Sequence, residues 1–390
     1  MIGIIKREIL AELLELAASY PIITITGPRQ SGKTTLAIET FPTKPYANLE
    51  ELDIRSFAKE DPRRFLGQFP DGAILDEIQH APELLSYIQS IVDQKNSHGM
   101  FILTGSHQLE LQRTVTQSLA GRVALLQLLP LSLTEVRSIN DKMTVDDYLL
   151  HGFYPRIYKD TLNPTKAYAN YVHTYLERDI KQLINVKDIT TFRKFIKLCA
   201  GRVGQILNMT ALSNEVGISS HTIKHWLSIL EASYIIVLLQ PYYENFGKRL
   251  IKSPKLYFSD VGLASYLLGI ESVTQLSRDP LRGSLFENLV LMDLIKRRLN
   301  IGREPRLYYY RDSSQQEIDI IYQAGHRLIP IEVKASETYH HDFQKTLQYF
   351  SDLTKSRCSD SYIVYAGKHE QVVGKTHILN YKNMDLITQE

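Results

Sequence analysis

Gly27-Pro28-Arg29-Gln30-Ser31-Gly32-Lys33-Thr34-Thr35 follows directly on the apolar run Ile22 to Ile25 and fits G-x-x-x-x-G-K-[ST] at every fixed position. A strand, a glycine-bearing loop and a helix from Thr35 onward are the context in which such a loop binds phosphate. The glycines let backbone N–H groups close around a β-phosphate. Lys33 reaches the β- and γ-phosphates, and the Thr34 hydroxyl is placed to ligate Mg²⁺. Gly27 to Thr35 are therefore all candidate nucleotide-binding residues, with ATP or ADP and Mg²⁺ as the expected ligands.

The chain of 390 residues is too long for one ordinary core, and about two to three domains are expected. Hydrophobic content of 44% and charged content of 23% are those of a folded chain rather than a disordered one. A net charge of only +2 excludes a globally basic nucleic-acid binder, so any DNA contact comes from local patches. Cys199 and Cys358 are far apart and lack His or Cys neighbours at ligand spacing, which suggests neither a disulfide framework nor a zinc site. A reducing compartment fits this usage. No run approaches the roughly 20 apolar residues of a membrane span, and no leader pattern opens the chain, so a cytoplasmic protein without a membrane partner is expected.

Working outward from the loop, Ile4 to Ala18 carries apolar residues at helical spacing and predicts an amphipathic helix. Gly72-Ala73-Ile74-Leu75-Asp76-Glu77 is a short apolar strand ending in two carboxylates. Asp76 is expected to hold Mg²⁺ through water, and Glu77 to polarise the attacking water. A third strand, Met100 to Leu103, ends in Thr104-Gly105-Ser106, where Thr104 or Ser106 could orient that water. Arg122, just before the apolar run Val123 to Leu129, is a candidate arginine for the γ-phosphate of its own subunit or a neighbour.

From Leu131 to Gly204 the pattern is helical. Within it, Tyr168 to Ile180 is aromatic-rich and amphipathic, a signature of packing more than of chemistry. Asn208 to Glu231 reads as helix-turn-helix: Thr210 caps Ala211 to Val216, Gly217 turns, and Ser219 or Ser220 caps a helix burying Ile223, Trp226, Leu227 and Leu230. Its exposed Ser220, His221, Thr222, Lys224 and His225 suit a DNA groove. A wing around Asn245 to Arg249 would add Lys248, Arg249, Lys252 and Lys255. Protein packing is the competing role for such a module.

In the last third, Glu287 lies on an amphipathic helix, and strand-like runs place Asp319 and then Glu332-Val333-Lys334 in succession. Alternation along a strand points Glu332 and Lys334 the same way. Glu287, Asp319 and Glu332 would bind Mg²⁺, with Mn²⁺ as an alternative, leaving Lys334 to orient or activate a water at a phosphodiester.

The loop Gly27 to Thr34, Leu75-Asp76-Glu77-Ile78-Gln79, Leu103-Thr104-Gly105-Ser106, Tyr175-Leu176-Glu177-Arg178-Asp179 and Pro330-Ile331-Glu332-Val333-Lys334-Ala335-Ser336 together resemble a family of prokaryotic AAA-type ATPases with a carboxyl-terminal domain of uncharacterised function. That terminal domain resembles the PD-(D/E)xK nuclease superfamily, with Glu287, Asp319, Glu332 and Lys334 at its positions; Ile318 stands where the motif has proline. The resemblance implies an α/β chain in four parts. These are a parallel-sheet P-loop ATPase domain at 1–135, a helical lid or linker at 136–205, a winged helix-turn-helix at 206–260 and a restriction-endonuclease-like α/β domain at 261–390. It also implies a homo-oligomer, such as a ring, whose sites a neighbour's arginine completes. DNA is the expected macromolecular partner and DNA processing the expected work; the alternative is a regulatory ATPase whose winged helix and terminal domain bind protein partners without cutting.

Overall fold

The computed structural model describes residues 5–106, 119–176, 189–243 and 251–388. Strands β1 (Ile22–Thr26), β2 (Tyr46–Asn48), β3 (Ile74–Asp76), β4 (Phe101–Gly105) and β5 (Val123–Gln127) form a five-stranded sheet in the order β2-β3-β4-β1-β5. Every pairing in it is parallel. β1 is buried along its length, as a strand covered by helices on both faces must be. Ile23 and Ile25 pack towards Leu13 and Leu36 on one face, while Ile22, Leu75 and Phe101 pack towards Leu84 and Ile88 on the other. The parallel arrangement brings the ends of β1, β3 and β4 to one edge, and the ligand edge of such a sheet is the carboxyl edge.

The first helix is shorter than its apolar spacing predicts, running Leu10–Ser19. Ahead of it, Arg7 is buried and donates to the Ser31 and Leu129 carbonyls, 2.8 Å each, and to Glu135 at 3.0 Å. These long-range bonds tie the segment ahead of the helix to the phosphate loop and to Glu135.

Four short helices follow the sheet, Leu133–Ile139, Val145–His151, Pro155–Lys159 and Pro164–Tyr171, then a π-helical turn, Val172–Leu176, and a helix Ile189–Ala200. The helix-turn-helix is present as Met209–Val216 and Ser220–Ala232. Asn208, rather than Thr210, caps the first helix, because its side-chain oxygen accepts from Ala211 N at 3.0 Å; Ser219 caps the second. Trp226 packs its ring 5.5 Å from Phe192 and 5.2 Å from Phe195. β6 (Gln205–Ile206), β7 (Ile236–Leu239) and β8 (Lys255–Phe258) make a three-stranded sheet in the order β6-β8-β7. The helix Val261–Leu267 packs back onto Val145–His151 and Pro164–Tyr171.

The last sheet is mixed and six-stranded, in the order β13-β14-β12-β11-β10-β9, from β9 (Leu307–Arg311), β10 (Glu317–Ala324), β11 (Arg327–Lys334), β12 (Ser361–Tyr365), β13 (Gln371–Val373) and β14 (Thr376–Asn380). Helix Arg282–Asn300 runs between it and the preceding parts, buried over most of its length. One apolar cluster extends from Leu129 to Ile387, so the middle helices, the winged helix and the terminal sheet share a core. Among the described residues no helix is long and apolar enough to cross a membrane.

Candidate functional site

Gly27 has φ +149°, and a Cβ there would meet the Leu128 carbonyl oxygen at 2.0 Å; glycine is required by this close approach. Gly32, at φ +94°, opens the helix Lys33–Thr40, whose first N–H groups face the loop. Lys33 is buried and donates to the carbonyls of Gly27 and Pro28 at 3.0 and 2.9 Å. Burial pushes its ammonium down to about 8, against the pull of Glu77 and Asp76. Lys33 thus rests on the loop's own carbonyls, positioned to exchange them for phosphate oxygens.

β3 delivers the acidic pair beside the loop. The Thr34 hydroxyl lies 3.0 Å from both oxygens of Asp76, and the Tyr46 and Thr104 hydroxyls also donate to that carboxylate. The facing hydroxyl and carboxylate fit the Mg²⁺ that accompanies ATP as substrate. Glu77 sits in the left-handed region at φ 55°, a conformation that costs about 1 kcal/mol or more in a non-glycine residue. The turn aims its carboxylate at Gln79, which donates to it, and at Ser106, whose hydroxyl donates at 3.2 Å. Burial raises the Glu77 pKa, but Lys33, Gln79, Arg29 and Ser106 outweigh it and hold the carboxyl below its usual range, ionised. Thr104 and Ser106, the residues expected to orient the attacking water, are hydrogen-bonded to the two carboxylates: Thr104 donates to Asp76 and accepts from Glu77 N at 3.2 Å, and Ser106 donates to Glu77.

Arg122 is elsewhere. It precedes β5, whose Val123 pairs with Ile22 and whose Gln127 pairs with Thr26, so the length of a strand, about 15 Å, separates it from the loop. Its guanidinium forks onto Asp93 instead. Contact with the γ-phosphate of its own subunit is thereby ruled out.

Two cavities flank the loop. One, of about 570 Å³, is lined by Arg29, Lys33, Thr34, Glu50, Glu77 and Tyr175. The other, of about 280 Å³, lies beside Gly32 and Thr35 and has Ile5, Leu10, Leu36 and Pro155 in its wall. The first has the charge for a triphosphate and the second the apolar wall for a planar base.

The carboxyl-terminal residues also converge, in a different way from that expected. Lys334 Nζ lies 2.7 Å from Glu332 Oε2 and 3.8 Å from Asp319 Oδ2. Asp319 stands where β10 slips register against β9, between Ile318 and Ile321, and it accepts from Val333 N at 2.9 Å. Glu332 accepts from the Thr346 hydroxyl at 2.9 Å. Glu287, however, faces Lys255, 3.1 Å away, and the Tyr257 hydroxyl. Lys255 also reaches Glu317 at 2.6 Å. Burial lowers the Lys255 pKa, but Glu287, Asp319 and Glu317 raise it further still, so the lysine stays charged.

Lys255 is therefore no wing residue: β8 is the central strand of its sheet, and the side chain is buried. Its ammonium pairs with Glu287 and Glu317, while Asp319 and Glu332 face the ammonium of Lys334. Among the described residues no group of three or more His, Cys, Asp and Glu side chains is arranged to hold a metal ion. Glu287, Asp319 and Glu332 do not fit Mg²⁺ or Mn²⁺ as they stand. On the helix Ser220–Ala232, Ser220, His221, Lys224 and His225 are exposed as expected, whereas Lys248 and Arg249, and Glu177 to Asp179 of the tyrosine-rich segment, lie outside the described residues.

Arg7, Tyr46, Gln79 and Tyr234 escaped the sequence reading. The Tyr234 hydroxyl donates to Thr26 Oγ1 at 2.9 Å across a buried contact. Gln79 carried a local signal, two residues after Glu77; the other three act over distances that no spacing reveals.

The model described as an AAA domain matches residues 19–137. Models of two domains of unknown function match residues 142–274 and 282–384. An uncharacterized protein of Mycobacterium tuberculosis is 29% identical over 367 residues, covering 93% of this chain and 80% of that protein. An uncharacterized protein of Haemophilus influenzae is 23% identical over 367 residues, 85% of this chain and 87% of that one. Among solved structures, the Walker-type ATPase of Pyrococcus abyssi is similar with TM-score 0.44 and 17% identity, over 68% of this chain and 96% of that chain.

Proposed function

We infer that this chain, an ATPase of the P-loop AAA type through residues 19–137, is a nucleotide-driven switch that couples ATP hydrolysis to DNA held by its winged helix. The observation that carries the coupling is the hydrogen bond from Tyr234 to Thr26. Tyr234 lies two residues past the end of the second helix of the helix-turn-helix, and Thr26 directly precedes the phosphate loop. A shift of the loop around a γ-phosphate therefore bears on the groove-facing helix through one buried contact.

In this reading Mg-ATP is the substrate, its base against Ile5, Leu36 and Pro155 and its triphosphate over Lys33. The Lys33 ammonium leaves the Gly27 and Pro28 carbonyls for the β- and γ-phosphates. Glu77, kept ionised and aimed by Gln79 and Ser106, accepts a proton from the water that attacks the γ-phosphorus. The terminal domain binds a partner or DNA without cutting it, which the Lys255 ammonium among its carboxylates favours over hydrolysis.

The test is hydrolysis with and without single-stranded, duplex and branched DNA, beside gel shifts in ATP and ADP at two salt concentrations. Stimulation by one DNA form together with a nucleotide-dependent shift is expected. Hydrolysis that ignores every DNA form, with no shift, would leave the winged helix as a protein-packing module. Metal-dependent cutting that is lost in Asp319→Ala and Lys334→Ala would restore the nuclease reading.

A further inference from the structure

Arg29 is the third residue of the phosphate loop, four positions before Lys33. Its side chain is only 13% exposed and lines the same cavity as Lys33, Thr34 and Glu77. Its guanidinium sits 3.4 Å from Glu50 and 5.7 Å over the Tyr175 ring. It is close enough to both Lys33 and Glu77 to depress the lysine's pKa and the glutamate's. Arg122 is at the opposite end of the sheet, and Arg156, the other arginine lining the cavity, is 61% exposed and tied to Asp160 on its own helix. The fork best placed to meet the γ-phosphate belongs to the loop itself.

We propose that Arg29 is the catalytic arginine of this ATPase, acting in cis: it is parked on Glu50 and moves onto the γ-phosphoryl oxygens when Mg-ATP enters. The inference rests on the ATPase reading. In the step it serves, the water oxygen bonds to the γ-phosphorus, and the bond from that phosphorus to the β–γ bridging oxygen breaks. The electron pair of that bond leaves on ADP, and the water proton passes to Glu77. Negative charge spreads over the transferring group and the bridging oxygen as this happens, and a guanidinium fork is matched to it. Glu50 competes for the same fork, so it holds the arginine near the site while opposing phosphate. Tyr175 gives the guanidinium a flat face along which to travel.

The experiment measures steady-state hydrolysis, fluorescent ATP-analogue affinity and trapping of ADP with aluminium fluoride for the full-length wild type, Arg29→Ala, Arg29→Lys and Glu50→Gln. Arg29→Ala should lose about a thousandfold in kcat, keep analogue affinity within about fivefold, and fail to trap ADP with aluminium fluoride. Arg29→Lys, charged but without the fork, should recover only part of the rate. Glu50→Gln should raise kcat/KM severalfold. Rates per chain should be unchanged over about a hundredfold dilution, since an arginine supplied in cis does not depend on assembly. A wild type that hydrolyses ATP while Arg29→Ala keeps its kcat overturns this inference and leaves the ATPase reading standing. A wild type that hydrolyses no ATP overturns both. If Arg29→Ala and Glu50→Gln lower activity and melting temperature alike, the pair is structural and the inference fails.

Discussion

Lys255 Nζ lies 3.1 Å from Glu287 Oε1, the lysine buried on β8 and the glutamate half-buried on the helix Arg282–Asn300. One cation thus ties the winged-helix sheet to the terminal domain. Replacing it with methionine leaves Glu287 and Glu317 without their shared cation. Both carboxylates are partly open to water, so the cost is expected below the roughly 3–5 kcal/mol of breaking a fully buried pair. Urea unfolding of Lys255→Met should show that loss. Mg²⁺ or Mn²⁺ added without nucleotide should leave the wild-type melting temperature where it is. A rise with either ion would put a metal among these carboxylates after all.

The nucleotide site separates binding from turnover. Lys33→Ala removes the ammonium that meets the phosphates and should abolish ATP binding, measured by fluorescence of an ATP analogue. Glu77→Gln keeps the shape and loses the base, so it should bind ATP and hardly turn over. Unchanged hydrolysis in Glu77→Gln would take Glu77 out of the chemistry.

A buried lysine gives the fold a pH dependence. Lys296 donates to the Leu131 carbonyl at 2.8 Å, with its ammonium 4.3 Å from the Phe153 ring centroid. Burial pushes it down to about 8 from 10.5, although Asp260, Asp293 and Glu135 favour the charged form. The folded pKa is below the unfolded one, so between pH 8 and 10.5 the unfolded chain binds more protons, and this group's contribution to stability rises with pH. Below pH 8 the full cost of burying the charge is present. The stability difference between wild type and Lys296→Met should therefore move in favour of wild type by up to about 3 kcal/mol across that window. Paired unfolding curves at its two ends check the sign.

The groove-facing helix carries its own test. His221, Lys224 and His225 are exposed on one turn and the next, and replacing all three with alanine should weaken DNA binding. The slope of log affinity against log salt should fall by about one unit for each phosphate the helix no longer neutralises. Binding that keeps its affinity and slope would move the DNA interface elsewhere.

The parts of this chain that a local pattern encodes were legible: the phosphate loop from fixed glycines, Asp76 and Glu77 from a strand ending in charge, and the second helix from the spacing of Ile223, Trp226 and Leu230. What failed was placement across the chain. Lys255 looks like a wing residue because serine, proline and lysine surround it in sequence, while its partner Glu287 is contributed by a distant helix. Arg122 follows a Gly turn beside an apolar strand, which fits either end of a parallel sheet; only strand direction decides that it lies far from the loop. Arg7 is the same case in reverse, an ordinary arginine of an amphipathic pattern that three long-range bonds turn inward.

Tyr234→Phe isolates the coupling step, because it removes one hydroxyl and keeps the ring. Thr26 then loses the partner that lies 2.9 Å away, at a cost of about 1 kcal/mol, small enough for the fold to survive. The phosphate loop keeps Gly27, Lys33 and Thr34, so ATP affinity and the basal rate should stay within about threefold of wild type, a change of less than 1 kcal/mol. What should disappear is the dependence of one ligand on the other. Two sites joined by a coupling free energy change each other's affinity by the same factor, so the ratio of DNA affinities in ATP and ADP should approach one. DNA stimulation of hydrolysis should fall with it. Measured together, these distinguish a broken link from a damaged site, because a damaged site lowers the basal rate and leaves the ratio alone. If Tyr234→Phe retains both the affinity ratio and the stimulation, the message between the loop and the winged helix takes another path.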